Sequence, residues 1–109
     1  MHELSLIQNL VKLVKEQIPD EPVSGITIEV GMLSCVQPTT LQMCFDVVKA
    51  QDEQLKHCTL SILETFPVAR CSRCANQFTL NKLGEACRCG AYDYAIDGGD
   101  ELTLKQLEY

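Results

Sequence analysis

The sequence has no run of apolar residues long enough to cross a bilayer. The apolar residues near its start are interrupted by Gln8, Asn9, Lys12 and Lys15. A spanning helix needs about 20 predominantly apolar residues, and a secretory signal needs an unbroken apolar centre. Neither is legible, so no membrane association and a cytoplasmic, reducing location are expected. Positive charge is also scarce. Nine Lys and Arg face fifteen Asp and Glu, a formal net charge of −6, which disfavours nucleic acid as a partner. No nucleophile–base pair and no glycine-rich phosphate loop stand out, so the chain is not expected to be an enzyme. There is no internal repeat and no low-complexity segment.

Cysteine, by contrast, is plentiful. There are seven, an odd number, so they cannot all pair within the chain. In a reducing compartment, closely spaced cysteines read as metal ligands. Cys71-Ser-Arg-Cys74 and Cys87-Arg-Cys89-Gly90 place four thiols in two pairs on either side of a hairpin-length insert. Each pair supplies two ligands from a tight turn, and the insert brings the turns face to face. Soft thiolates in an S4 set suit Zn²⁺, and a closed S4 site is structural rather than catalytic. A reversible redox pair or a disulfide are the alternatives. The second knuckle is short by one residue, and Gly90 can take the positive φ that a tighter turn demands.

The rest of the chain reads as an α+β domain. Leu4, Ile7, Val11, Val14 and Ile18 recur at three- and four-residue steps, predicting an amphipathic helix over about 3–18 that Pro19 and Pro22 end. Ile26, Ile28, Val30 and Met32 alternate with Thr27, Glu29 and Gly31, which is a strand with one buried face. Pro38 suits the first turn of a second helix over about 38–53, with Leu41, Cys44, Phe45 and Val48 inward. A second strand follows at Thr59–Phe66, with Leu60, Ile62 and Phe66 on one side. A last strand starts at Leu102, with Leu107 put out of register by a bulge. The expected fold is a three-stranded sheet with two helices plus an inserted zinc-ribbon-like module. Residues 1–67 and 100–109 would form one discontinuous domain, and residues 68–99 the module. The module carries a formal +1 and the remainder −7. Cys35, Cys44 and Cys58 are expected to be small buried hydrophobes and His57 a solvated surface residue.

The second residue is a histidine. The free α-amine of Met1, the amide nitrogen and imidazole of His2, and the amide of Glu3 can close fused chelate rings on one metal. Such a planar nitrogen set suits Ni²⁺ or Cu²⁺. The bland reading of His2 is a frayed terminal residue. Met1-His2-Glu3-Leu4-Ser5-Leu6, Glu29-Val30-Gly31-Met32-Leu33-Ser34-Cys35-Val36, Cys44-Phe45-Asp46-Val47-Val48, the four-cysteine module and Gly99-Asp100-Glu101-Leu102 occur in this order. Together they closely resemble the HypA/HybF family of hydrogenase maturation proteins, over essentially the whole chain.

The resemblance implies a nickel metallochaperone that binds Ni²⁺ through Met1, His2 and Glu3 and carries a structural Zn²⁺ on Cys71, Cys74, Cys87 and Cys89. It also implies work with a HypB-type GTPase, delivery to the large subunit of [NiFe]-hydrogenase, and, in some relatives, service to urease maturation. Two departures from the family pattern stand out. The second knuckle is Cys-x-Cys rather than Cys-x2-Cys. Gln37 also stands where many relatives have an acidic residue that approaches nickel. The competing readings are a zinc-ribbon module that binds protein or transcription machinery, and a thiol-redox protein.

Overall fold

The computed structural model describes residues 3–109. Met1 and His2 of the expected nickel site lie outside the described residues. The first helix, α1, spans Glu3–Gln17, with Glu3 in its positive first turn and Lys15 in its last. It buries Ile7, Leu10, Val11 and Val14, the stripe that the periodicity selects. Strand β1 runs Gly25–Gly31, and its burial alternates with Ile26, Ile28 and Val30 inward. A short 3-10 turn, Met32–Ser34, follows. Helix α2 spans Pro38–Lys49; Gln37 before it is extended, and Pro38 occupies the first helical turn.

Helix α2 stops earlier than periodicity predicts. Past Lys49 the chain folds into successive turns, closed by Gln51 N–H to Val48 O and Leu55 N–H to Asp52 O. These turns drive Leu55 into the core at 0% exposure. Strand β2, Thr59–Thr65, then runs parallel to β1, with Ile28 opposite Ile62. A parallel pair needs a long crossover, and α2 supplies it. Phe66 falls just past the strand and is 40% exposed, so it leaves the inward face expected for it.

Three short strands make a second sheet: β3 (Val68–Cys71), β4 (Gln77–Thr79) and β5 (Tyr94–Asp97), ordered β4-β3-β5 and antiparallel throughout. The final strand, β6 (Leu102–Glu108), returns to pair antiparallel with β1, so the first sheet has the order β2-β1-β6. Its register shifts between Thr27 and Ile28, where Thr27 faces Gln106 and Ile28 faces Leu104. Lys105 is the extra residue. The bulge lets Leu104 and Leu107, three apart, both pack on the core with Leu102. Lys105 in turn meets Glu29 at 3.2 Å.

The core lies between this first sheet and the two helices. Phe45, Ile7, Ile26, Ile28 and Leu41 are its largest fully buried side chains. Truncating one of them to alanine costs about 2–5 kcal/mol in well-packed cores.

The two sheets meet at a narrow crossing. A Cβ added to Gly31 would lie 2.2 Å from the backbone carbon and oxygen of Gly99. One added to Gly99, whose φ is +75, would lie 2.8 Å from Pro67. Only glycine allows the returning chain to pass this close. The crossing is tied by Gly31 N–H to Glu101 O at 2.8 Å and Leu33 N–H to Gly99 O at 2.6 Å. The molecule is therefore long, 54 × 21 × 16 Å, with a radius of gyration of 17.3 Å. A compact chain of this length would have about 13 Å.

Candidate metal centre

The four sequence-predicted cysteines come together at one end of the second sheet. Cys71 ends β3. The next residues form a knuckle in which Ala75 takes a left-handed φ of 59 and donates its N–H to Cys71 O at 3.0 Å. The chain then reverses into β4, with Cys71 N–H bonded to Asn76 O at 2.9 Å. The second knuckle lies between β4 and β5. Gly90, at φ +90, donates to Cys87 O at 2.8 Å, and Cys87 N–H bonds Ala91 O at 2.9 Å. The shortened Cys-x-Cys turn thus closes with glycine in the backbone region that other residues avoid. Behind the knuckles, Phe78 and Tyr94 pack edge to face at 5.4 Å, and the Tyr94 hydroxyl donates to Glu85 O at 2.6 Å.

All four sulfurs lie within 4.8 Å of one another. Cys71 and Cys89 Sγ are 3.7 Å apart, and Cys74 and Cys87 Sγ 3.6 Å. A tetrahedral ion with metal–sulfur bonds of about 2.3 Å requires sulfur–sulfur edges of about 3.8 Å. Two of the sulfur–sulfur distances are already close to that edge and four soft donors are gathered within reach of one ion, so the donor set fits Zn²⁺.

The local electrostatics prepare the sulfurs for a cation. Backbone N–H groups of Cys74 and Arg73 aim at the Cys71 sulfur and hold its thiol down to about 6. The N–H of Cys89 lowers Cys87 in the same way. At Cys74 the N–H of Asn76 pulls downward, but lost hydration and the adjacent sulfurs outweigh it and push the thiol up to about 11. Metal binding would displace the protons that remain, the one on Cys74 above all.

The remaining cysteines divide. Cys58 is buried, and burial pushes its thiol up. Cys44 is half-buried against the core. Cys35 corrects the expectation of burial. It is exposed, because it caps the 3-10 turn in a left-handed conformation, φ 60, that turns its side chain off the sheet. His57 is exposed, as the polar stretch around it predicts. Glu3 heads α1, half-buried. Gln37 immediately precedes α2, beside the loop that the chain crossing at Gly31 fixes. Sequence reasoning missed β3. Four residues running straight into a ligand cysteine carry too little alternation to register.

An α+β body and a small antiparallel sheet that gathers four thiols into one cluster define a metal-binding class of protein. The family model described as "Hydrogenase/urease nickel incorporation, metallochaperone, hypA" matches residues 1–109, and the chain belongs to this HypA family. It is 37% identical over 109 residues to a protein named hydrogenase maturation factor HypA from Crocosphaera subtropica, covering 99% of this chain and 95% of the relative. It is 34% identical over 108 residues to the protein of the same name from Nostoc punctiforme, with the same coverage. In fold it is similar to the solution structure of the Ni metallochaperone HypA from Helicobacter pylori. There the TM-score is 0.68 at 23% identity, covering 99% of this chain and 97% of that one.

Proposed function

We propose that this chain takes up Ni²⁺ through the Met1 amine, the His2 amide and imidazole and the Glu3 amide, and passes it on during hydrogenase maturation. The observation that carries the reading is the family match over all 109 residues, nickel incorporation being the family's described role. The chemistry of the two candidate sites supports a division of labour. A site at a chain terminus is open to a recipient, so it suits cargo. Four thiolates at a tetrahedron's corners leave no open position, so they suit a resident structural ion.

In this reading Cys71, Cys74, Cys87 and Cys89 hold Zn²⁺, which would supply a cross-link between the two knuckles. Residues 68–99 then act as one zinc-dependent unit, and residues 1–67 with 100–109 as the nickel-binding one. The chain itself catalyses no reaction. Its proposed partners are a HypB-type GTPase and the large subunit of [NiFe]-hydrogenase, with urease maturation proteins as a further recipient. The proposed setting is the cytoplasm, where thiols stay reduced and available to metal. Among the described residues no helix is long and apolar enough to cross a membrane.

The test is a calorimetric nickel titration of the zinc-loaded chain beside His2→Ala. Loss of tight binding in the variant supports the terminal site. Unchanged affinity sends the search to the exposed residues Cys35 and His57.

A further inference from the structure

Four strands end a sheet without a further neighbour: β2 and β6 in the first sheet, β4 and β5 in the second. An unpaired edge invites another strand, and chains blunt such edges with short strands, bulges, lysines and prolines. Strands β4 and β5 are short, at three and four residues. Strand β6 has seven residues, but its register breaks at a bulge and Lys105 stands there. Strand β2 is equally long and carries none of these devices. Thr59-Leu60-Ser61-Ile62-Leu63-Glu64-Thr65 holds no lysine, arginine, proline or glycine, and its register against β1 is unbroken.

The backbone shows which groups this edge offers. Thr59 N–H donates to Ser24 O, so Thr59, Ser61, Leu63 and Thr65 turn their backbone groups toward β1. Leu60, Ile62 and Glu64 turn theirs outward. The Gln42 side chain agrees with this sense, since its amide reaches from α2 to Leu60 O at 2.9 Å. Lys49, also on α2, donates to Cys58 O at 3.1 Å just before the strand. The outward N–H groups meet no strand, because β1 is the one neighbour of β2 among the described residues. Side chains alternate likewise. Leu60 and Ile62 pack on the core from the helix face, which the exposed Glu64 shares, and Leu63 is 46% exposed on the opposite face.

We propose that this edge pairs antiparallel with the same edge of a second copy, across a two-fold axis at Ile62, so that two three-stranded sheets become one. Charge selects the occupant and the direction. Lys49 marks the start of the edge and Glu64 its end. Antiparallel pairing about Ile62 sets Glu64 of each copy opposite Leu60 of the other, on the face where the Gln42 amide and the Lys49 ammonium stand. Asp46 is 3.8 Å from that ammonium, a long contact that leaves it room for a second carboxylate. Symmetry makes the match twice and keeps the two lysines at opposite ends. At the axis the two Ile62 residues exchange both backbone hydrogen bonds, and Leu60 and Glu64 exchange theirs on either side. Leu63 comes opposite Ser61 and within diagonal reach of the second Leu63, which covers apolar surface now open to solvent. A seven-residue edge is a small interface, so the dimer is reversible and its population follows concentration. The strand contains no cysteine, so the pairing asks nothing of the metal centre.

The test is sedimentation of the zinc-loaded full chain in reducing buffer over a range of concentrations. Amide hydrogen exchange is recorded in the dilute and the concentrated sample. The expected result is a monomer–dimer equilibrium in which the Leu60, Ile62 and Glu64 amides exchange freely when dilute and are protected when concentrated. Glu64→Lys, a change at an exposed side chain, sets lysine against lysine twice. It should raise the dimer dissociation constant by about tenfold, the combined effect of two exposed pairs reversed. Adding Lys49→Glu should restore most of the affinity, which a general loss of stability would not do. A chain that stays monomeric, its β2 edge left for a strand of another protein, overturns the proposal. So does a dimer in which those three amides still exchange freely, or in which the outward amides of β6 are protected in their place. A dimer indifferent to Glu64→Lys overturns the antiparallel register and the proposal with it.

Discussion

Single residues do unequal work in this chain, and the most constrained are not the most conspicuous. Gly31 looks like one more small residue at a strand end. Yet the Gly99 backbone passes where its Cβ would be, 2.2 Å away, and backbone cannot swing aside as a side chain can. Gly31→Ala should therefore lose more than about 2 kcal/mol in chemical denaturation, at the upper end of overpacking costs. Asp52 is a milder case. Burial works to raise its carboxyl, but the Lys15 ammonium at 2.8 Å and the Gln54 N–H at 3.0 Å outweigh it and hold it below the ordinary value. A lowered folded-state pKa contributes stability at neutral pH, and that contribution is lost as pH falls through the carboxylate range. Lys15 is 43% exposed, so solvent screens the pair and Asp52→Asn should cost less than about 1 kcal/mol at pH 7. Melting curves of the two proteins should converge in acid. A gap that persists below the carboxylate range would show that shape, not charge, is what Asp52 supplies.

At the scale of elements, the pattern of apolar residues went furthest where one face of an element is buried. The stripe from Ile7 to Val14 placed α1, and the alternation from Ile26 to Val30 placed β1. The spacing of Leu102, Leu104 and Leu107 foretold the bulge that Lys105 forms. Where no face is buried, the pattern fell silent. Between Lys49 and Thr59 no glycine or proline marks a stop, so the sequence reads on as helix, whereas the chain breaks into turns that bury Leu55. Strand β3 is held by its two neighbours in a sheet too small to leave a period in four residues. Cys35 resembled a core residue because it flanks a strand, and a left-handed backbone turned it outward. The four-cysteine cluster was legible because two closely spaced thiol pairs imply such a grouping, whereas the chain crossing at Gly31 and Gly99 depends on a contact 68 residues away in sequence, which no local pattern encodes.

Strand β6 makes the element-scale prediction. It pairs with β1 along Gly25–Val30 and adds Leu102, Leu104 and Leu107 to the core. Truncation before Asp100 should thus expose one edge of β1 and destabilise α1 and α2 with it. Hydrogen exchange should show protection lost across β1 and not only at the tail. Full protection of β1 in the truncated chain would mean that β6 is dispensable to the first sheet.

On the scale of the whole molecule, two small sheets are joined by a crossing a few residues wide, and each has its own source of stability. The first owes its stability to a buried apolar core. The second has little such core: Ala69 and Leu80 are its fully buried side chains beside the cysteines. Below about 40 residues a unit generally needs a metal or disulfide to fold. Removing zinc with a chelator, or replacing Cys74 by Ser, should therefore melt residues 68–99 while the α1–β1 body keeps its secondary structure. Amide spectra recorded before and after chelation would separate the two. Collapse of both parts together would contradict the division.

The central claim is that nickel is held by the terminus itself and not by a side-chain cluster elsewhere. An acylated amine is a poor donor, and an amide nitrogen binds only after giving up its proton, which a chelate ring promotes and acid opposes. A free, unextended α-amine is thus as necessary as the imidazole of His2. The most direct measurement is calorimetric titration of Ni²⁺ into zinc-loaded protein, once with the authentic N-terminus and once with a short extension before Met1. The account predicts tight binding in the first and its loss in the second, although every side chain is still present. Equal affinity in both would contradict it.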